Sequence, residues 1–490
     1  MSYRSMPRRS VGADRGVILP FFASTVFLLL GLSAFATDLG WFYVNANRIQ
    51  RAADAGALAG VIHMPQRFDL ASASAEELAM ANGYEDGLDG AVVEVDAVPG
   101  EPHQLEVTIT DTVDTYFLKV LGRTSQTIVR KARAEFIPPL PLGSPGNQFG
   151  NDPATGNVDN FWANIHGHHT DTKKGDAYSA YCSDGDGDGP PCSQNPGWRE
   201  RGYVYGVEVP AGAGNIQTWI LDGAFHNNTG GNPNGDAIRT GDVGCGGCLG
   251  PTTHFRLYAP DPTPLDLSDN TQLCSVTYSP QPQVPVGTPY TWDQLCTLGN
   301  PAPGIYPLQV VVDPSSGNDS TNDGLNRYSL KVQSAGTPAR LYGLGDISIF
   351  NNASGVNTQF YLAEVAAFYR GKTFVVELYD PGDASPGGVV QIFGPDGSPW
   401  SSCDMYERPE VTAVWIPRGT QTPCQFDADR SIASQNYDGD WIKLEINLPD
   451  IYSCVDCWWK VNYNYPGAVF DTTTWRAYML GNPVHLIPLG

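Results

Sequence analysis

The chain has 490 residues, 41% of them hydrophobic, with 54 glycines, 39 prolines and a formal net charge of −23. That length and composition predict two or three domains with folded cores, many turns and few long helices. From residue 141 onward 17 Lys+Arg stand against 36 Asp+Glu, a balance of −19, which excludes nucleic acid as a partner because phosphate binding needs the opposite sign.

Residues 1–16 form a short basic tail carrying Arg4, Arg8, Arg9 and Arg15. From Val17 to Thr37 there are 21 residues without a charge. As a helix the run measures about 32 Å, enough to cross a bilayer core. Arginines ahead of it, and only Arg48 and Arg51 soon after, predict a cytoplasmic N-terminus and an extracytoplasmic body. Ala34-Phe35-Ala36 leaves a cleaved signal peptide open, but the run is long for one, and a retained anchor is the reading adopted. A pilin-type leader would be cut after a glycine such as Gly16 and would want an acid where Phe21 stands. Asp38 falls at the edge of the span, where it can reach water. Trp41, Phe42 and Tyr43 fit an interfacial aromatic belt.

Beyond the span, Leu39, Phe42, Ala46, Ile49, Ala53, Ala57 and Gly60 recur at spacings of three and four, so residues 17–63 read as a transmembrane helix continued into a stalk. Gly56 and Gly60 permit close backbone approach, either to the chain's own next domain or to another membrane subunit.

The same stretch combines the Arg15-Gly16 lead-in, a single apolar helix, Asp38-Leu39-Gly40, an aromatic pair, Arg48-Ile49-Gln50 and the run Ala52 to Ala59. In these motifs it resembles the N-terminus of TadG-like proteins of the TadE/TadG group, which are associated with assembly of Flp-type (tight adherence) pili. The segment from Asn160 to Leu486 also resembles the long C-terminal regions of some TadG-like proteins. The resemblance implies a membrane topology and an association with pilus-assembly membrane proteins through the N-terminal helix. It brings no catalytic residue.

Residues 64–137 read as a small α+β unit. Ser74 to Asn82 is its helix, with Ser74 as N-cap; Ala91–Ala97, Gln104–Ile109 and Thr127–Phe136 are its strands. Thr112–Leu121 suits a helix or a strand end. Residues 138–150 are a Pro-rich, semi-rigid linker. Further on, short β-rich runs alternate with Gly, Pro, Asn and Asp turns. Those of residues 151–335 are Tyr203–Val209, Ile216–Leu221, His254–Tyr258, Tyr306–Val312 and Arg327–Val332. Those of residues 336–490 are Ile347–Phe350, Gln359–Val365, Thr373–Leu378, Val389–Phe393, Trp441–Ile446 and Trp475–Met479. The fold class is therefore mainly β: one N-terminal transmembrane helix with its stalk, the α+β unit, then two tandem disulfide-linked β-sandwich domains, 151–335 and 336–490. The run beginning at Tyr203 parallels the run beginning at Phe360, as an internal repeat would.

Chemistry-bearing motifs are few. Asp184, Asp186 and Asp188 alternate with glycines between Cys182 and Cys192 and could converge on calcium, but Asn195 stands where a calcium loop wants Glu; an acidic turn tied by a disulfide is the competing reading. His166, His168 and His169 with Asp171 could approach zinc, without a second ligand cluster. Ten cysteines, none before Cys182, indicate disulfides in an oxidising compartment. Pairing neighbours gives Cys182–Cys192, Cys245–Cys248, Cys274–Cys296, Cys403–Cys424 and Cys454–Cys457, with cross-pairing open. Trp458, Trp459 and Trp475 could stack on sugars if exposed, or pack in a core. No nucleophile elbow, P-loop or strong dinucleotide fingerprint is present. The chain reads as non-enzymatic, requiring no cofactor beyond the candidate calcium. The resemblance implies a structural role in pilus assembly, with the sandwiches expected to contact cell wall, filament or surface glycans. The alternative is a membrane-anchored adhesin that binds carbohydrate or calcium and has no connection with pili.

Overall fold

The computed structural model describes residues 18–152, 160–167, 172–178, 195–222, 241–243, 251–261, 263–278, 291–312, 325–353, 357–381, 387–410, 412, 414–467 and 469–489. The chain divides into two compact units, residues 1–137 with 482–490, and residues 138–481.

The first unit is organised on helix α1, Ile18–Val61, 44 residues long. Its two halves have different surroundings. In the N-terminal half Ile18, Leu19, Phe21, Phe22, Phe27 and Leu28 are all exposed. In the C-terminal half Ile49, Ala52, Ala53, Ala57 and Val61 are buried. A helix apolar all round and uncovered by protein is stable only in lipid. Among the described residues this is the one helix long and apolar enough to cross a membrane.

Helix α2, Phe68–Ala81, and an antiparallel sheet cover the second half of α1. The sheet joins β1 (Val92–Ala97), β2 (Gln104–Asp114), β3 (Ser125–Phe136) and, from the far end of the sequence, the strand Val484–Ile487. Ile49, Ala53 and Ala57 share one core with Ala71, Ala75 and Ala79 of α2 and with Leu105, Val107, Ile109, Ala132 and Ala134 of the sheet. Small residues let the helices approach. A Cβ on Gly60 would lie 2.5 Å from the Ala71 carbonyl oxygen and 2.6 Å from Leu105 Cδ2, and one on Gly56 2.9 Å from the Ala75 carbonyl oxygen. The Gly56/Gly60 face is thus used within the chain.

Helix α2 begins earlier than Ser74. Asp69 occupies its first turn, and Ser74 Oγ lies inside the helix, 3.2 Å from His63 Nε2. Thr112–Leu121 combines both expected forms, since β2 runs to Asp114 and a 3-10 turn follows at Leu118–Leu121.

In the second unit the strands expected from the sequence are present, shifted by a few residues at their ends. Their arrangement differs from two tandem sandwiches. Among the described residues they build a ten-stranded and a twelve-stranded sheet, each drawing strands from both sides of residue 335. Asn160–His166 pairs with Leu325–Ser334 on one side and Asp346–Ala353 on the other, stitching the halves of the twelve-stranded sheet. In the ten-stranded sheet Tyr203–Val209 pairs with Arg340–Leu344 across that division, and Pro141–Leu142 lies between Arg340–Leu344 and Thr358–Glu364. Residues 138–150 are consequently not a free spacer. Gln148–Phe149 pairs with Leu330 and Lys331, and Leu142 and Phe149 are buried. Nor does the final strand belong to a second sandwich: Val484–Ile487 lies in the first unit.

The two sheets pack through aromatic contacts. Tyr205 and Phe255 of the ten-stranded sheet meet Tyr328 of the twelve-stranded one at ring separations of 6.2 and 5.2 Å. Phe360 meets Trp475 at 6.0 Å, and Trp459 meets Phe374 at 5.1 Å. The suspected repeat has a structural counterpart. Tyr203–Val209 and Thr358–Glu364 lie in the ten-stranded sheet, and the strands that follow them, Ile216–Asp222 and Thr373–Tyr379, both lie in the twelve-stranded sheet.

Candidate functional site

Where α1 leaves its lipid-exposed half, Asp38 is completely buried. Its carboxylate accepts the backbone N–H groups of Tyr116 at 2.9 Å, Phe117 at 3.0 Å and Leu118 at 2.6 Å. These donors are free because the 3-10 turn Leu118–Leu121 starts there, and the first N–H groups of a helical turn have no partner within it. An ionised acceptor makes such bonds short and strong. Trp41, one turn further along α1, sets its ring edge-on to Tyr116 at 5.5 Å. Trp41 and Phe42 are partly covered by the unit's core, whereas Tyr43 points outward. Gln50 adds a second tie, donating to the Lys131 carbonyl of β3 at 2.9 Å. The end of the apolar helix is therefore bolted to the sheet unit by a carboxylate, an aromatic pair and an amide.

Asp38 was legible in the sequence only as a boundary acid. Its partners lie 78 to 80 residues away. The turn's own clue was a run of exposed apolar residues, Phe117, Val120 and Leu121, between two strands.

In the second unit the titratable groups form buried ties. Asp176 accepts the backbone N–H groups of His166 at 2.9 Å and Tyr178 at 3.1 Å, and the Tyr203 hydroxyl donates to it. Burial pushes its carboxyl up to about 6. Asp222 accepts the Asn326 amide at 3.0 Å, and burial pushes it up to about 7. Asp346 is paired with Arg199 and, at 3.3 Å, Arg201. Burial, with the like charge of Arg199, lowers the Arg201 guanidinium to about 10. Shifted acids gain a chemical role when a cleft exposes them to a substrate; those of Asp176 and Asp222 hold strands together.

A separate polar cleft of about 640 Å³ is lined by Asn147, Asn215, Gln217, Gln333, Ser334 and Pro338. Side-chain amides both donate and accept, which suits neutral, hydroxyl-rich ligands.

The remaining expected site residues fall as follows. Asp184, Asp186 and Asp188 lie outside the described residues, as do His168, His169, Asp171 and the cysteines at 182, 192, 245 and 248. His166 is buried on its strand. Among the described residues no group of three His, Cys, Asp or Glu side chains is placed to hold a metal. Cys274–Cys296, Cys403–Cys424 and Cys454–Cys457 are disulfides. Trp458, Trp459 and Trp475 are core residues and offer no stacking platform. Trp459 donates to the Tyr452 hydroxyl at 3.0 Å, and Trp475 to that of Tyr463 at 3.3 Å.

Residues 16–74 match the family described as "Tad: Putative Flp pilus-assembly TadE/G-like". This N-terminal stretch is thus similar to TadE/G-like Tad domains. It takes in the apolar half of α1, its buried half and the start of α2. The Tad match ends at residue 74, so the resemblance of residues 160–486 to longer TadG-like proteins gains no support from it. Comparison with curated proteins gives no match. Among solved structures the chain was compared with the CBM22-1-CBM22-2 tandem domain of Xyn10C from Paenibacillus barcinonensis, at 7% identity over 80% of this chain and 90% of that chain. The TM-score is 0.13, too low for that likeness to bear on fold or ligand.

Proposed function

We propose that the protein is a membrane-anchored, non-enzymatic structural component of an Flp-type pilus assembly apparatus, with its N-terminus in the cytoplasm and its β-rich body outside. The observation that carries this reading is the coincidence of the Tad match, residues 16–74, with the helix that both exposes an apolar half and anchors a folded unit. Arg4, Arg8, Arg9 and Arg15 ahead of the span support the orientation. The exposed apolar half of α1 is the surface available to other pilus-assembly membrane proteins. The test is a count of surface pili by electron microscopy on cells lacking the protein. Pili should vanish, and return with the full chain but not with residues 138–490. Unchanged piliation refutes the pilus role.

A second reading, a surface adhesin for glycans, draws on the amide-lined cleft at Asn147, Asn215, Gln217 and Gln333. Glycan binding by the full chain in detergent, lost in Gln217→Ala, would favour it. Asp184, Asp186 and Asp188 are carried in that reading as candidate calcium ligands; calcium titration of the wild type and of Asp186→Ala tests them.

A further inference from the structure

We propose that the turn Tyr116–Arg123 is a membrane-interface foot: it lies in the headgroup region of the bilayer that α1 crosses, at a depth set by Asp38. The turn leaves its sheet between β2 and β3 and presents Phe117, Val120 and Leu121 to the outside, with Val120 83% and Leu121 79% exposed. Apolar side chains this open on a short turn cost solubility unless something covers them.

Their position names the cover. Asp38 is the first charged residue after the apolar run of α1, so it marks the level at which the helix leaves hydrocarbon. Its carboxylate holds the N–H groups of Tyr116, Phe117 and Leu118, which fixes the turn at that level. The exposed surface of the turn thereby continues the exposed surface of the helix, where Leu39 and Tyr43 also face outward. The turn is rigid enough to keep its depth. The Thr115 hydroxyl donates to the Arg123 carbonyl at 2.5 Å, Thr115 N–H donates to the Thr124 carbonyl at 3.0 Å, and Gly122 closes the turn at φ 84°.

Charge is complementary as well. Lys119 and Arg123 are both exposed on this turn, in a chain of net charge −23. Cations beside apolar side chains at a helix exit suit lipid phosphates above and acyl chains below. Aromatic residues belong at the same level, where Trp41 and Tyr116 are in contact.

The inference rests on the membrane-anchor reading, and the experiment separates the two. The full chain is placed in nanodiscs of phosphatidylcholine and phosphatidylglycerol, with a bimane label on Phe27→Cys or on Val120→Cys. Quenching is read with lipids spin-labelled either deep in the acyl chain or near the headgroup. Phe27 should be quenched best by the deep label and Val120 best by the shallow one. Asp38→Asn should reduce shallow quenching at Val120 several-fold while leaving Phe27 unchanged. Arg123→Glu should reduce it too, while leaving in place the Asp38 clamp and Lys119, whose charge favours the ionised carboxylate. If Phe27 escapes quenching, the anchor reading falls. If Phe27 is quenched and Val120 is not, the anchor stands, and the foot is overturned in favour of a protein partner or free exposure of the turn. If Asp38→Asn leaves Val120 unchanged, Asp38 does not set the depth.

Discussion

Val484 pairs with Phe136, so the last strand of the chain completes the sheet begun by β1–β3. The ladder continues through His485–Glu135 to Ile487–Arg133, and the Ile137 N–H donates to the Pro483 carbonyl at 2.7 Å. Val484 also packs on the core of the first unit. Both connections between the two units, at 137/138 and at 481/482, therefore leave from neighbouring strands of one sheet.

Deleting residues 482–490 should destabilise the first unit selectively. One covered valine and a few strand hydrogen bonds amount to about 2–4 kcal/mol. Hydrogen exchange should show faster exchange in β3 and β2 of the truncated chain, with the strands of the second unit unchanged. Equal effects in both units would contradict the assignment of this strand.

Gly60→Ala should be costly. Its Cβ would meet the Ala71 carbonyl and Leu105 Cδ2 inside ordinary contact distance, and overpacking of this kind costs about 1–3 kcal/mol. Gly40→Ala is the control, because nothing lies within 4 Å of a Cβ there. Thermal unfolding of the two variants in detergent should differ in that sense. If both behave alike, α1 does not pack on α2 as described.

The elements visible in the sequence were those carried by local pattern. Uncharged length announced α1, spacing of three and four announced its buried stripe, and β-rich runs between glycines and prolines announced most strands. What escaped was set by long-range pairing. Pro141–Leu142 looked like linker because prolines bias a segment to extended conformations, which serve a spacer and a short strand equally. The division at residue 335 looked natural because each half has its own run of strands, and nothing local records that Asn160–His166 pairs with strands on both sides of it. Val484–Ile487 pairs with β3, Val484 lying 348 residues beyond its partner Phe136. Asp38 reads as a boundary acid until Leu118 is placed beside it. Trp459 and Trp475 look the same in sequence whether buried or exposed; the Tyr452 and Tyr463 hydroxyls that satisfy their indole N–H groups place them in the core.

Asp346→Ala should strongly destabilise the second unit. The carboxylate is buried and paired with both Arg199 and Arg201. Removing it takes the shared counterion from two like charges that are 25% and 30% exposed, a loss of about 2–3 kcal/mol. Arg201→Met in the Asp346→Ala background should restore part of it, since one of the stranded cations is then gone. Denaturant unfolding of the single and double variants measures this, and a double variant no better than the single would locate the cost elsewhere.

The two units should respond to acid in opposite directions. In the first unit, burial lowers His103 from 6.5 to about 4, against the opposing pull of Glu135. Below pH 6.5 the unfolded chain takes up a proton there that the folded chain refuses until pH 4. This contribution is complete above pH 6.5 and is lost as pH falls through that window. In the second unit, burial raises Asp176 from 3.8 to about 6 and Asp222 from 3.8 to about 7. The folded chain keeps those protons where the unfolded chain gives them up, so this contribution is complete below pH 3.8 and is lost as pH rises through 6 to 7. Acidification from pH 7 to 5 should therefore weaken the first unit by about 2 kcal/mol and strengthen the second by about 3–4 kcal/mol, at the scale of 1.4 kcal/mol per pKa unit. Hydrogen exchange resolved by unit at pH 7 and 5, corrected for the intrinsic rate, measures both slopes in one sample. His103→Gln should flatten the first, and the double variant Asp176→Asn/Asp222→Asn the second; slopes of the same sign in both units would show that these groups do not control the response.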